Sequence, residues 1–128
     1  MSNVSRIACV DDDVSVCEAM VAFLKSHGFA AGAFFSAEAF LQSADIKNTW
    51  CLITDVELTG MSGLHLQSKI REAGFNIPII FVTAFPDRLT QSRAMDAGAV
   101  CFLSKPVAGE DLLSCIDSAR MRTSDKRT

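Results

Sequence analysis

Cysteine pairs at metal-binding spacing, a glycine-rich phosphate loop, long apolar runs and an excess of basic charge are all missing from this sequence. Each absence removes a class of function. The five cysteines, Cys9, Cys17, Cys51, Cys101 and Cys115, include no C-x-x-C pair, and the two histidines, His27 and His65, are isolated. A zinc site therefore has no donor set. Where a glycine-rich turn would follow the first apolar run stand Asp11, Asp12 and Asp13. Three aspartates repel a pyrophosphate, which argues against a dinucleotide or flavin site. No apolar stretch approaches the roughly 20 residues that a membrane helix needs. The N-terminal residues lead only into the short run Ile7–Val10, not into a signal-peptide core. Lys+Arg total 12 against 15 Asp+Glu, a formal net charge of −3, so broad contact with nucleic acid has no support. Cys9, Cys51 and Cys101 lie in apolar, strand-like runs, where a reduced thiol serves as a small core hydrophobe. The expectation is a cytoplasmic protein with no membrane contact.

What is present points to one α/β domain. The chain has 128 residues, 49% of them hydrophobic, enough to bury a core. Ile7–Val10 reads as a strand closed by the three aspartates. Val16, Met20, Val21 and Leu24 then recur at helical spacing up to Gly28. Phe29 to Phe35 is a weak strand, and Ser36 can cap a short helix. Cys51–Thr54 is a strand that delivers Asp55, and a loop with Gly60 and Gly63 leads into a helix stopped near Gly74. Ile79–Val82 is a strand ending at Thr83, and Asp87 can cap the helix that Gly98 ends. Val100–Leu103 is the last strand, before Ser104-Lys105-Pro106 and a final helix from Gly109 to about Arg120.

Five continuously apolar strands alternating with five helices predict a doubly wound parallel sheet covered on both faces. In such folds the working groups collect beyond the carboxyl ends of the strands. Asp11, Asp12, Asp55, Thr83 and Lys105 all follow directly on a strand end. Carboxylates held together repel unless a cation is present. With only oxygen donors, the natural cation is Mg²⁺. Lys105 adds a fixed positive charge and Thr83 a hydroxyl, which together describe a pocket for a phosphoryl group. Asp13 reads as the cap of the first helix.

These residues resemble the response-regulator receiver family over nearly the whole chain. The resemblance rests on Val10-Asp11-Asp12-Asp13, Leu52-Ile53-Thr54-Asp55, Met61-Ser62-Gly63-Leu64, Phe81-Val82-Thr83-Ala84-Phe85 and Ala97 to Pro106, in that order. The segments around Val82 to Asp87 and Gly98 to Pro106 are most similar to FixJ-type receivers. The resemblance implies a five-stranded flavodoxin-like sheet of order 2-1-3-4-5. It implies that Asp55 takes a phosphoryl group from the phosphohistidine of a sensor histidine kinase. It also implies that Asp11, Asp12, Asp55 and the backbone carbonyl of Glu57 hold Mg²⁺, with Mn²⁺ able to stand in. Lys105 would pair with the phosphoryl oxygens, followed by a cis bond to Pro106. Thr83 would move to the new phosphoryl group, the Ala84 N–H would contact it, and Phe102 would swing inward. The output face would be the fourth helix, fifth strand and fifth helix, also the place for a homodimer. Such a domain catalyses its own phosphorylation and dephosphorylation without turning over an external substrate.

Two positions depart from the family pattern. Thr59 stands where receivers of this type usually carry proline, which alters the loop near the metal or the kinase. Glu57 adds a carboxylate beside the line of attack, and Glu57 and Phe85 are expected to tune dephosphorylation. Residues 1–122 form the expected receiver, and 123–128 a short polar tail or linker start too short for an output domain. The FixJ likeness implies control of transcription through a DNA-binding domain outside this chain. Two readings compete. One is a phosphorylation-independent binding module of the same fold, against which the complete set of site residues argues. The other is a haloacid-dehalogenase-like phosphohydrolase using Asp11, because Asp11-x-Asp13-Val14-Ser15 superficially resembles that family's nucleophile motif. It lacks a late acidic pair near a strand, since Glu110 and Asp111 fall in the final helix.

Overall fold

A computed structural model describes the protein over residues 5–127. Among these, strands β1 (Arg6–Val10), β2 (Ala31–Phe34), β3 (Thr49–Asp55), β4 (Ile79–Thr83) and β5 (Cys101–Ser104) alternate with helices. The helices are α1 (Val14–Ser26), α2 (Ala37–Gln42), α3 (Gly63–Glu72), α4 (Arg88–Asp96) and α5 (Gly109–Arg127). All strand pairs are parallel, in the order β2-β1-β3-β4-β5.

Side chains of one strand alternate between faces, so each apolar run feeds two cores. Ile7, Cys9, Cys51, Ile53, Ile80 and Val82 pack on one face under α1 and α5, against Leu24, Leu112 and Ile116. Ala8, Val10, Leu52 and Phe81 pack on the other under α2, α3 and α4, against Phe40, Leu66, Ile70 and Ala94. Each large side chain so buried contributes about 1.5–3 kcal/mol relative to exposure. The helices begin where a side chain can satisfy a free N–H. Asp13, Ser36, Ser62 and Asp87 accept from the backbone of Val16, Ala39, His65 and Thr90 at 3.0–3.2 Å. Such caps each contribute about 1 kcal/mol.

Three features differ from the sequence-based expectations. Strand β2 is shorter, because it pairs with β1 only from Ala31 to Phe34. A 3₁₀ turn, Ala44–Asn48, lies before β3 where no element was expected. Helix α5 continues past Arg120 to Arg127. That stretch has no apolar periodicity, but Arg, Met and Lys favour helix without it.

The reduced thiol expected at Cys101 is corrected, because Cys101 and Cys115 form a disulfide with Cα atoms 6.1 Å apart. Burial of a strand residue can be read from its run. The landing of α5 against β5 within bridging distance cannot. Cys9, Cys17 and Cys51 are free and buried. Among the described residues no helix is long and apolar enough to cross a membrane.

Candidate functional site

The chemistry-bearing side chains gather at the carboxyl ends of β1, β3, β4 and β5. Asp55 is the last residue of β3 and Thr83 the last of β4, while Asp11 and Lys105 each follow the final residue of their strand. Parallel pairing brings these ends together, with Asp55 opposite Val82 and Thr83 opposite Ser104. Lys105 is fixed by its backbone as well, its N–H donating to the Thr83 carbonyl at 2.8 Å. The Lys105–Pro106 peptide bond is cis.

At the centre one ammonium serves two carboxylates. Lys105 Nζ donates to Asp55 Oδ2 at 2.7 Å and to Asp11 Oδ2 at 2.8 Å. Asp11 and Asp55 are only 4% and 6% exposed. Their remaining oxygens accept backbone N–H groups, Asp11 Oδ1 from Asp13 at 2.9 Å and Asp55 Oδ1 from Glu57 at 3.1 Å. The buried cluster is thus one positive charge short of neutral. Burial pushes the Asp55 carboxyl above the usual carboxylate range, against the pull of Lys105. Burial also disfavours the Lys105 ammonium, but its hydrogen bonds to Asp11 and Asp55 outweigh that and hold it above its ordinary value.

The other expected residues stand around this core without joining it. Asp12 is exposed, and its Oδ2 accepts from both the Thr59 N–H and the Thr59 hydroxyl, each at 2.8 Å. Those bonds hold its carboxyl below the usual range. Thr83 is buried, and its hydroxyl donates to Glu57 Oε1 at 2.7 Å while accepting the Phe85 N–H at 3.1 Å. Ala84 and Phe85 are exposed. Phe102 is half-buried, with its ring centroid 6.3 Å from that of Phe81. No group of three or more His, Cys, Asp or Glu converges as a metal-ligating set among the described residues.

Two supporting residues escaped the sequence reading. Glu38, on α2, accepts the Met61 N–H at 3.2 Å and so tethers the β3–α3 loop. Nothing local marks it, because the contact spans separate elements. Gly63 was read only as part of a loop motif, yet a Cβ there would lie 2.2 Å from the Asp55 carbonyl oxygen. Its own N–H donates to the Val56 carbonyl at 2.8 Å. The start of α3 therefore rests directly on the backbone that carries Asp55. Beside the cluster, Val16, Met20, Phe23, Pro106 and Leu112 line an apolar cleft of about 580 Å³, with Lys105 at its edge.

Comparison with known proteins follows the same outline. The family described as response regulator receiver domain matches residues 7–117. The chain is 43% identical over 115 residues to the response regulator protein TmoT of Ectopseudomonas mendocina, covering 90% of this chain and 52% of that protein. It is 39% identical over 118 residues to the transcriptional regulatory protein TdiR of Thauera aromatica, covering 91% and 52%. The chain thus spans about half the length of these curated relatives. Among solved structures, the crystal structure of FixJ-N superposes with a TM-score of 0.82 at 34% identity, covering 93% of this chain and 94% of that one.

Proposed function

The chain belongs to the response-regulator receiver domain family, related to the FixJ-type regulators, and from that premise we propose that Asp55 is its phosphoacceptor. The donor would be the phosphohistidine of a sensor histidine kinase. One observation carries the assignment: Asp55 ends the central strand, buried, with the Lys105 ammonium 2.7 Å from its Oδ2. A carboxylate so placed is a nucleophile with a fixed cation at its side. As the Asp55 oxygen bonds to phosphorus, the histidine nitrogen leaves with the electron pair of the broken bond. Lys105, released from part of its duty to Asp11 and Asp55, then pairs with the phosphoryl oxygens. Thr83 exchanges its hydrogen bond to Glu57 for one to the phosphoryl group, the Ala84 N–H donates beside it, and Phe102 turns toward the space Thr83 leaves.

The donor chemistry fits a hard divalent cation. It is all oxygen, and the buried cluster carries an excess negative charge. Asp11, Asp12, Asp55 and the Glu57 backbone carbonyl would hold Mg²⁺ or Mn²⁺. When bound, the ion supplies charge neutralisation at the phosphoryl oxygens. The output face would be α4, β5 and α5. There the large exposed side chains Leu89 and Met95 favour contact with a partner or a second copy on phosphorylation. Control of transcription through a module outside this chain is supported by the name of the TdiR relative and by the half of it that lies beyond the match.

Incubation with a small acyl phosphate and Mg²⁺ tests the assignment. The intact mass should rise by a single phosphoryl group, and the Asp55→Asn variant should gain none. Equal gain by both would refute it.

A further inference from the structure

Asp12 is the carboxylate of the cluster that Lys105 does not hold. Its hydrogen bonds come instead from the opposite loop, across 47 residues of sequence, where Thr59 offers both a backbone N–H and a hydroxyl. Both donors converge on the same oxygen, Oδ2, at 2.8 Å. Lys105 meanwhile holds Asp11 and Asp55, and Asp12 bonds to Thr59 instead. A proline at position 59 would have neither donor, and a valine would keep only the N–H. The residue at 59 therefore sets how firmly Asp12 is tied to the β3–α3 loop rather than free to turn toward Asp11 and Asp55.

We propose that Thr59 is a latch on Asp12, a positioning residue that makes cation binding compete with its two hydrogen bonds. This rests on the reading of Asp11, Asp12 and Asp55 as the cation site. In the latched chain only the fraction of molecules with Asp12 free is competent to bind, and the apparent affinity is reduced by that fraction. Thr59 thereby raises the Mg²⁺ concentration at which the site fills. It also links the position of the β3–α3 loop to cation occupancy, because filling the site releases the loop from Asp12.

Calorimetric titration of the full chain with Mg²⁺ alone, cross-checked by Mn²⁺ binding followed by electron paramagnetic resonance, tests the latch. Thr59→Val should bind about 2- to 10-fold more tightly than the parent, the range expected for loss of one hydrogen bond. Thr59→Pro should bind more tightly still, and Thr59→Ser, which keeps both donors, should match the parent. Circular dichroism melts establish that each variant is folded, and if Thr59→Pro is not, Thr59→Val and Thr59→Ser decide. In the parent, the Thr59 amide proton resonance should move upfield on saturation with Mg²⁺, the direction that loss of a hydrogen bond to a carboxylate gives, and a downfield shift would mean that the bond persists and would overturn the latch. Unchanged or weaker binding by Thr59→Val would overturn the latch while leaving the cation site standing. Absence of binding by every form would overturn the cation site and the latch with it.

Discussion

At the scale of single residues, the site is a set of competing hydrogen bonds. Glu57 holds the Thr83 hydroxyl at 2.7 Å, and the Phe85 N–H steadies the same oxygen at 3.1 Å. Thr83 must leave Glu57 before it can bind a phosphoryl group. Under the proposed chemistry, Glu57 would also be a carboxylate close to Asp55, whose Oδ1 accepts its backbone N–H. Removing it in Glu57→Ala frees the Thr83 hydroxyl and deletes the carboxylate. On the proposed tuning role of Glu57, the variant should lose its phosphoryl group more slowly, by about 2- to 10-fold for a single hydrogen bond shifted. Phosphoryl decay followed by intact mass measures this, and equal rates for variant and parent would reject the role. Gly63 makes a different kind of prediction. With the Asp55 carbonyl oxygen 2.2 Å from where a Cβ would sit, Gly63→Ala must push α3 away from β3. The expected loss is about 1–3 kcal/mol of stability, the range for overpacking, read from denaturant unfolding. A variant as stable as the parent would show that the contact yields freely.

At the scale of elements, the strand ends were legible and the loops between them were not. Asp55, Thr83 and Lys105 could be placed at one edge because each stands at the carboxyl end of a short apolar run, closing β3 and β4 or following β5. The helix caps Asp13, Ser36 and Asp87 were legible for a similar reason, since a cap reaches only two or three residues onward. The ties Thr59 to Asp12, Glu57 to Thr83 and Glu38 to Met61 were not, because each joins loops or elements far apart in sequence. The disulfide was missed on the same grounds, since it depends on how α5 lies across β5. The cap of α4 carries a pH signature. Hydrogen bonds from the Thr90 hydroxyl and backbone hold the Asp87 carboxyl below the usual range. A carboxyl lowered in the folded state adds stability above its unfolded value, near 3.9 for Asp, and loses it as pH falls through the folded value. Melting temperatures of Asp87→Ala and the parent should therefore differ at neutral pH and converge in strong acid. A gap that stays constant down to strongly acidic pH would contradict this role.

At the scale of the whole molecule, the fold separates what is sealed from what is exposed for signalling. Both cores are closed. Cys9 and Cys51 are buried in the first, and burial raises their thiols, that of Cys51 to about 12. Neither should react with a maleimide in the folded chain near neutral pH, and both should react once the chain is unfolded. Rapid labelling of the native chain at Cys9 or Cys51 would mean that the sheet opens far more readily than its packing implies. The open side is the edge where Asp11, Asp55 and Lys105 meet, flanked by the apolar cleft and by the face of α4, β5 and α5. Glu57 touches both Asp55, through its backbone N–H, and Thr83, through its side chain, and Thr83 ends the strand that pairs with β5. On the proposed phosphorylation of Asp55, that adjacency would be the route by which the new charge reaches the exposed face.

The central claim is that Asp55, and not another carboxylate of the cluster, carries the phosphoryl group. Borohydride reduction of the chain after exposure to an acyl phosphate and Mg²⁺, followed by peptide sequencing in a mass spectrometer, tests this directly. An aspartyl phosphate is reduced to homoserine, so the converted position names the acceptor. Homoserine is expected at position 55 only, and only when Mg²⁺ was present. Conversion at Asp11, or none in a folded chain that binds Mg²⁺, would contradict it.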